Sequence, residues 1–192
     1  MVGRFDIRPV RNLAKDGGLM AVIEAIATTY LEADAASVTF SSLGSYEHLQ
    51  IRGGAHTDAA GAGYNAFHIR FNGDTAANYA FHYMRGYNGS NTAATAATGY
   101  SYIFCGLEPG PGGLSTAYGT AIIDILDYRN TNKNTTISYS PAIATGAGGS
   151  TEVQFGSGLW DSTAAVTSIV LTPQSGNFTR GSEFTLFGLA SS

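Results

Sequence analysis

The sequence is poor in charge and in long apolar runs, and each shortage argues against a class of protein. Only 12% of its 192 residues are Asp, Glu, Lys or Arg, which is about half of what soluble domains usually carry. The net charge is −4 and the basic residues are scattered, unlike the clustered positive surface of a nucleic-acid-binding protein. No segment approaches the ~20 apolar residues that a membrane-spanning helix needs. So weakly charged a surface indicates that a partner, or further copies of the chain, cover part of it.

Cysteine is nearly absent as well, because Cys105 is the only one in the sequence. A single cysteine cannot form an intrachain disulfide. Cys105 lies in the apolar segment YIFCGL, so we expect a small buried side chain rather than a nucleophile.

Residues 1–19 form a polar segment without sustained helical or strand periodicity, interrupted at Pro9 and at Gly17-Gly18. They have no apolar stretch like that of a signal peptide. We therefore divide the chain into an N-terminal arm at residues 1–19 and one domain at residues 20–192. The arm either packs on its own domain or contacts a partner. Its candidate partner-binding side chains are Arg4, Phe5, Arg8 and Arg11.

Glycine and aromatic residues are what the sequence has in quantity, with 25 Gly, 11 Tyr and 10 Phe. Short runs of period-two alternation, bounded by Gly, Pro, Asn or Asp, recur between residues 20 and 189, which is typical of strands. Residues 20–30 also fit a helix, but their Thr pair and β-branched residues favour a strand. Residues 88–99, NGSNTAATAATG, predict a long exposed loop. The sequence thus predicts an all-β fold: an antiparallel β-sandwich, jelly-roll-like, with about ten strands.

The strongest strand signals are the runs FHIRF at 67–71 and YAFHY at 79–83, which alternate large apolar and polar residues. Between them, Asn72-Gly73-Asp74 is a turn signal. A tight Asn-Gly turn would pair Phe71 with Asp74. A longer loop at 72–78 would pair the two runs with all large side chains on one face, so we predict a hairpin with the longer loop. That register sets His68 opposite His82.

No residue pattern predicts catalysis, a metal or a cofactor. Two facing histidines are too few for structural zinc, which needs four ligands, and Asn72-Gly73-Asp74 has too few acids for a calcium loop. A glycoside hydrolase needs a pair of carboxylates, and the sequence brings no such pair together reliably. We therefore expect that the protein is not an enzyme. The acids considered for such a pair are Asp124, Asp127, Glu152 and Asp161.

Aromatic residues near the predicted loops are candidates for stacking on sugar rings. Packing in a core or an interface is the commoner role of such side chains, so both interpretations stay open. The possible glycan-facing side chains are Tyr87, Tyr100 and Trp160.

Six motifs in a fixed order carry a resemblance to a known group. They are ASVTFSS (36–42), YEHLQIRG (46–53), IRFNGDTAANYAFHYM (69–84), IDILDYRNTNKNTT (123–136), SGLWDSTAAVTSIVL (157–171) and SGNFTRGSEFTLFGL (175–189). Over about residues 20–189 the sequence resembles small β-rich virion structural proteins of tailed bacteriophages. The motifs are strand and turn signatures and contain no catalytic residues. The resemblance implies a virion component without saying which one.

Composition and resemblance together lead us to expect a capsid decoration (cement) protein. It would be a homotrimer on the virion surface that binds the major capsid protein and stabilises its lattice, with the arm lying across seams of that lattice. The alternative is a tail-fibre or receptor-binding module that recognises host surface polysaccharide. Neither nucleic acid nor a membrane is expected as a partner, and no cofactor is expected.

Overall fold

The computed structural model describes residues 23–60, 63–89, 91–146 and 150–190, and within these ranges the only extended regular structure is β-strand. Every strand pairing is antiparallel. The all-β prediction is confirmed, with twelve strands described rather than about ten. The strands are β1 (Ile23–Tyr30), β2 (Val38–Phe40), β3 (His48–Ala55), β4 (Tyr64–Phe71), β5 (Tyr79–Tyr87), β6 (Asn91–Tyr100), β7 (Ile103–Pro109), β8 (Gly119–Leu126), β9 (Thr135–Ala144), β10 (Thr151–Trp160), β11 (Ile169–Pro173) and β12 (Glu183–Leu189).

The strands form two sheets, as predicted for a β-sandwich. The large sheet has the order β1-β12-β3-β8-β9-β10-β5-β6, and the small sheet has the order β2-β11-β4-β7. We call β1, β12, β3 and β8 the first half of the large sheet, and β9, β10, β5 and β6 the extension. The jelly-roll part of the fold prediction stays a prediction.

The main core lies between the large sheet and the small sheet. Successive residues of a strand point to opposite faces, and the inward positions hold apolar side chains that are removed from water. Burying each large side chain contributes roughly 1.5–3 kcal/mol. Three rings from different elements, those of Phe67, Phe178 and Phe184, meet with centroids 5.1–5.8 Å apart. Other fully buried members are Leu49, Ile51, Ile69, Phe71, Ile123 and Leu186.

The small sheet approaches the large one closely where β7 passes β8. A Cβ atom placed on Gly119 would lie 1.9 Å from the carbonyl oxygen of Leu107. Since that oxygen belongs to the backbone, any larger residue would force the two sheets apart. Cys105 is fully buried in the same strand, and burial raises the pKa of its thiol, which confirms its prediction as a small buried residue.

The hairpin predicted for residues 67–83 is wrong. β4 pairs with β7 and β11 in the small sheet, whereas β5 pairs with β10 and β6 in the large sheet. Consequently His68 does not face His82: His68 is buried on β4, and His82 is exposed on β5. The two runs do bury their large side chains, but they do so from opposite sheets. Period-two alternation identifies the buried face of a strand and leaves its sheet undetermined.

A tight turn, rather than a long hairpin loop, follows β4. Asn72 and Gly73 both have positive φ, 54° and 67°, and the N–H of Asp74 donates to the carbonyl of Phe71 at 2.9 Å. The chain then crosses to the other sheet. There the Tyr79 hydroxyl accepts the N–H of Phe71 at 3.1 Å, so the start of β5 is tied to the end of β4 through a side chain.

The predicted loop at residues 88–99 is also wrong, because most of it is β6. This strand pairs with β5 from Tyr87–Asn91 to Tyr79–Tyr100, after a turn in which Asn88 and Gly89 have positive φ. Because its residues are mostly small, the segment resembles a low-complexity loop. It forms a strand because it pairs with β5 at the edge of an existing sheet, where few large side chains are needed.

The predicted arm, with Arg4, Phe5, Arg8 and Arg11, lies outside the described residues. Across the described ranges, no helix is long and apolar enough to cross a lipid bilayer.

Candidate interaction surfaces

The outer face of the extension carries no Asp, Glu, Lys or Arg side chain in the part of the chain that the structure describes. The positions that point outward alternate with buried or half-buried ones along β5, β9 and β10, and exposed positions alternate with half-buried ones along most of β6. An uncharged surface of this width has little protection against association. The outward residues include Thr136, Ser138, Ser140 and Ala142 on β9; Val153, Phe155, Ser157 and Leu159 on β10; Ala80, His82, Met84 and Gly86 on β5; and Thr92, Ala94, Ala96 and Thr98 on β6.

Three large apolar side chains are exposed together on this face. Met84, Val153 and Phe155 are 63%, 61% and 62% exposed. Met84 and Phe155 are direct cross-strand partners, and Val153 pairs with Gly86 on the neighbouring strand. They line a shallow groove of about 580 Å³. Contiguous exposed apolar surface of this kind marks an interaction site more often than single exposed residues do.

The outer face of the first half has the opposite character. Gln50 donates to the carboxylate of Asp124 at 2.7 Å, and the guanidinium of Arg52 donates to Gln50 at 2.7 Å. The same guanidinium lies 5.4 Å from the ring centroid of Phe187. The outer face of the first half is thus charged, although Ile122 and Leu126 of β8 are also exposed there, at 42% and 43%.

Trp160 does not face solvent, so its prediction as a glycan-facing residue is wrong. Its ring is 2% exposed and packs near Phe71 and Tyr79. Its indole N–H donates to the carboxylate of Asp74 at 2.8 Å. The alternation of β10 turns Trp160 inward, and its polar partner lies in the turn between the two sheets.

The other two aromatic candidates lie at opposite ends of the β5–β6 pair. Tyr100 pairs with Tyr79 at the first end, and Tyr87 pairs with Asn91 at the second. Tyr100 is partly exposed beside Phe81. Tyr87 lies under the guanidinium of Arg85, 4.5 Å from the ring centroid. Because they lie at opposite ends of the pair, these two tyrosines do not form one surface for a single sugar ring. Their contact with glycans stays a prediction.

A polar cleft opens between the extension and the face of the small sheet that points away from the core. Phe81 of β5 packs on Phe104 of β7, with ring centroids 5.3 Å apart, which shows that the extension wraps around the β7 edge. Beside this contact the two sheets separate and leave a cleft of about 280 Å³. Its polar lining comprises Tyr64, Asn65, Tyr83, Arg85, Gln154 and Gln174.

An ion pair adjoins this cleft: its Arg85 lines the cleft, whereas its Glu152 does not. Glu152 is 3% exposed, and its Oε1 accepts from Gln154 at 2.7 Å and from Arg85 at 3.5 Å. Within the described residues, Oε2 of Glu152 and Nε of Arg85 have no hydrogen-bond partner. Burial first, and then the negative charge of Glu152, raises the pKa of the Tyr64 phenol, which places this phenol in the field of the pair.

Glu47, His48 and Asp127 form the one group of possible metal ligands found among the described residues. Nδ1 of His48 already accepts the N–H of Asp127 at 3.0 Å. The ammonium of Lys133 pairs with the carboxylate of Asp127 and lowers its pKa. With only three candidate ligands, two of which make these contacts, the cluster does not fit a structural zinc site, which takes four ligands.

The four acids considered for hydrolysis engage separate partners. Asp124 accepts from Gln50 and Asp161 accepts from Asn134, whereas Asp127 and Glu152 form the contacts described above. No two of these carboxylates are joined through a common partner in the described structure. The prediction that the protein is not an enzyme remains a prediction.

Two buried titratable groups lie on the small sheet, away from these contacts. Burial, followed by the negative charge of Asp58, raises the pKa of Glu108 to about 9. Burial, followed by the positive charge of Arg70, lowers the pKa of His68 to about 4. The His68 ring is stacked on Tyr102 with centroids 3.8 Å apart.

Comparison with protein-family models finds no match for this chain. Comparison with curated protein sequences finds no match either. Function is therefore inferred from the surfaces described above.

The sequence does contain a pattern that indicates these surfaces, although it is not a sequence motif. Arg85 lies an even number of positions from the inward Phe81, so both lie on the same face of β5, and Glu152 likewise lies on the same face of β10 as the inward Trp160. Met84 and Phe155 lie on the outward faces of these strands. Charged residues at inward positions, next to apolar residues at outward ones, distinguish β5 and β10 from ordinary half-buried strands.

Proposed function

We propose that this protein is a structural component of a bacteriophage virion that attaches to a neighbouring shell protein through the outer face of the extension. The single observation that carries the proposal is the uncharged outer face of four strands, with Met84, Val153 and Phe155 exposed together. The resemblance to virion proteins supplies the setting. In its most specific form, the protein decorates the capsid and stabilises the lattice of the major capsid protein.

The physical basis is the burial of apolar surface without the cost of removing charges from water. A stable interface buries about 800 Å² on each partner, and apolar area contributes about 25 cal/mol per Å² before the costs of association. An uncharged face avoids the desolvation penalty of ionised side chains. The complementary surface on the shell protein is therefore expected to be uncharged and apolar as well.

The edge of the extension favours the same interpretation. β6 ends the large sheet as described, and its described side chains are uncharged and, apart from Tyr100, small. Soluble proteins usually protect an edge strand with lysine, proline or a covering segment. An unprotected edge beside an exposed apolar row supports a role in which assembly covers both.

The strand order supports a jelly roll with two inserted hairpins. When β5–β6 and β9–β10 are set aside, the remaining sheets have the orders β1-β12-β3-β8 and β2-β11-β4-β7. Two four-stranded antiparallel sheets of this kind occur in viral capsid proteins and in lectins. Because a fold alone does not define a function, this order supports the virion proposal only together with the outer face.

The first test is the copy number of the protein in purified virions, measured by quantitative mass spectrometry against the major capsid protein. A decoration protein is expected at a ratio of roughly one to one or one to three. A handful of copies per particle would overturn the decoration role and would indicate a position in the tail.

The second test changes the proposed contact surface. Phe155→Glu places a charge in the middle of the exposed apolar row and is expected to abolish incorporation into particles while the protein still folds. Thr39→Glu is the matched control, because Thr39 is exposed on β2 of the other sheet. Normal incorporation of the Phe155→Glu variant would show that another surface makes the attachment.

The second candidate function is a receptor-binding module of the tail, and the polar cleft lined by Tyr64, Arg85 and Gln154 favours it. In that role the protein would bind host surface polysaccharide, and few copies per virion would be expected. The predicted homotrimer is compatible with both functions and is tested by the molar mass of the purified protein in light scattering.

A further inference from the structure

The outer edge of β6 lacks the protection found at the other sheet edges of the described structure. Edge strands usually avoid pairing with another chain by being short, by a bulge or a charged residue, or by a covering segment. β1 carries Glu24 and a bulge between Ala25 and Ala27. β2 has only three residues, and the β7 edge is covered by the Phe81–Phe104 contact described above. β6 has ten residues, with no charge and no proline among them.

This edge is also regular along most of its length. Within the described ranges, no strand pairs with the far side of β6, which ends the large sheet. A strand in that position presents a row of backbone N–H and C=O groups without strand partners. Its pairing with β5 keeps one register from Tyr87–Asn91 to Ala80–Thr98 and shifts only beyond Thr98. Residues 92–98 therefore provide a regular template for a further strand.

The sequence of this segment reads the same in both directions. Residues 92–98 are TAATAAT, a palindrome with Thr95 at its centre. When two copies of one strand pair in antiparallel fashion, a two-fold axis relates them and the contact is self-complementary. An axis beside Thr95 sets Thr92 opposite Thr98 of the second copy and Ala94 opposite Ala96 of the second copy. Each residue of the segment then meets a residue of its own type.

The same register aligns the faces of the two strands. Thr92, Ala94, Ala96 and Thr98 are exposed on the outer face, and in this register they pair only with one another. The half-buried residues between them pair on the inner face, whereas a shift by one residue would set outer positions against inner ones. Opposed threonines stabilise an antiparallel pair. Because a two-fold axis brings each residue near its own copy, the absence of charge in this segment avoids repulsion.

We propose that two copies of this chain pair through β6 into one continuous antiparallel sheet, with a two-fold axis beside Thr95. The pairing supplies roughly six to eight intermolecular backbone hydrogen bonds. The axis is perpendicular to the sheet, so the two uncharged outer faces lie on the same side and form one wider surface. The assembly closes at two copies and in this respect departs from the homotrimer predicted from the sequence. The inference goes beyond the proposed function, because the edge contact needs no virion partner.

Sedimentation equilibrium of the full chain, from micromolar to millimolar concentration, is the first test. A reversible equilibrium between monomer and dimer is expected. A contact made by one strand edge is smaller than the roughly 800 Å² that a standard interface buries on each partner, so dissociation is expected in the micromolar range. A chain that stays monomeric at every concentration would overturn the proposal and leave the edge to a different partner. A trimer would also overturn it, because a two-fold pairing does not relate three equivalent copies.

Three double variants test the register, all of them at the exposed positions Ala94 and Ala96. Two lysines, or two glutamates, place like charges directly opposite each other twice and should weaken dimerisation about ten-fold. Ala94→Glu combined with Ala96→Lys places opposite charges at the same positions and should dimerise at least as strongly as the native chain. Unfolding followed by Trp160 fluorescence checks that all three variants fold alike. Equal dimerisation of the three would show that another surface makes the contact.

A disulfide cross-link tests the position of the axis. In either kind of antiparallel pair, the Cα atoms of opposed residues lie about 4.5 or 5.5 Å apart, which a disulfide can bridge. Thr95→Cys should therefore give a covalent dimer under mild oxidation. Thr39→Cys, on exposed β2, is the matched control and should give none, and the native Cys105 is fully buried. Equal cross-linking of the two variants, or none in Thr95→Cys, would contradict the proposed pairing.

Discussion

The two halves of the large sheet share one hydrogen-bonded framework but distribute polar and apolar residues in opposite ways. The first half buries apolar side chains such as Ile51, Ile123 and Phe184 and presents Arg52 and Asp124 to solvent. The extension also buries apolar side chains, among them Tyr79, Ile137 and Tyr139, but it turns an ion pair inward and presents Met84 and Phe155 outward. A strand whose exposed face is apolar does not gain stability from that face within one chain. Both halves therefore contribute to the core, and the outer face of the extension carries the uncharged surface available for binding.

The largest difference is expected from matched truncations of two phenylalanines. Phe184 is fully buried in the first half, whereas Phe155 is 62% exposed on the extension. Phe184→Ala removes ring contacts in the core and should lower the free energy of unfolding by about 3–5 kcal/mol. Phe155→Ala should change it by no more than about 0.5 kcal/mol. Urea denaturation followed by the fluorescence of Trp160 measures both. Equal losses in the two variants would contradict the distinction between the core and the outer face of the extension.

The next effect concerns Glu108, whose backbone lies against Gly119 of the first half. With a folded pKa of about 9 against an ordinary 4.5, the folded protein keeps a proton that the unfolded chain releases. Stability is therefore fully present below pH 4.5 and falls as the pH rises towards 9. By pH 7 the loss is roughly 3 kcal/mol, at about 1.4 kcal/mol per pH unit.

Glu108→Gln should remove this loss. The variant is expected to be more stable than the native protein at neutral pH and to show a flatter stability profile between acid and alkaline conditions. Thermal and urea unfolding across this pH range provide the measurement. Glu183→Gln, at an exposed position, serves as control and should leave the profile unchanged. An unaltered slope in the Glu108 variant would show that Glu108 is ionised in the folded protein.

The smallest effect has the opposite sign and concerns His68, which belongs to the aromatic contacts beneath the extension. Its folded pKa of about 4 lies below the ordinary 6.5, so the unfolded chain takes up a proton that the folded protein does not. Stability is fully present above pH 6.5 and is lost as the pH falls towards 4. Between pH 6.5 and about 5 the loss should be roughly 2 kcal/mol.

His68→Gln should lower stability at neutral pH, through the lost stacking on Tyr102, but flatten the dependence on acid. His82→Gln is the matched control, because His82 is exposed on the outer face of the extension. Urea unfolding at several pH values provides the slopes. If both histidine variants keep the native slope, the acid sensitivity of the protein does not arise from His68.

The sequence predicted the fold class and most strand positions, because alternation and turn residues act locally. It failed where the outcome depended on distant partners. Five of the six large residues in the two runs at 67–71 and 79–83 are buried as expected, and the sixth, Tyr83, is half-buried. No local pattern, however, determines that β4 pairs with β11 while β5 pairs with β10. Most of the segment at 88–99 is a strand only because the free edge of β5 provides hydrogen-bond partners for its backbone.

The candidate surfaces were harder to predict for the same reason. From the sequence alone, Trp160 is predicted to lie near a loop. Only the fold brings Asp74 close enough to accept a hydrogen bond from its indole N–H. Glu152 and Arg85 become a site only when β10 pairs with β5. The alternation of faces along each strand could have identified Arg85 and Glu152 as inward-pointing charges. It does not give the distance between them, and it does not predict the cleft beside Arg85.

The position of β12 sets an order of events during synthesis. β12, at Glu183–Leu189, lies between β1 and β3 in the large sheet, although the ribosome makes it long after both. Until β12 emerges, β1 has no partner strand, although β3 can already pair with β8 and so join the rest of the large sheet. Attachment of the first described strand is therefore a late step of translation, which waits for the last described strand.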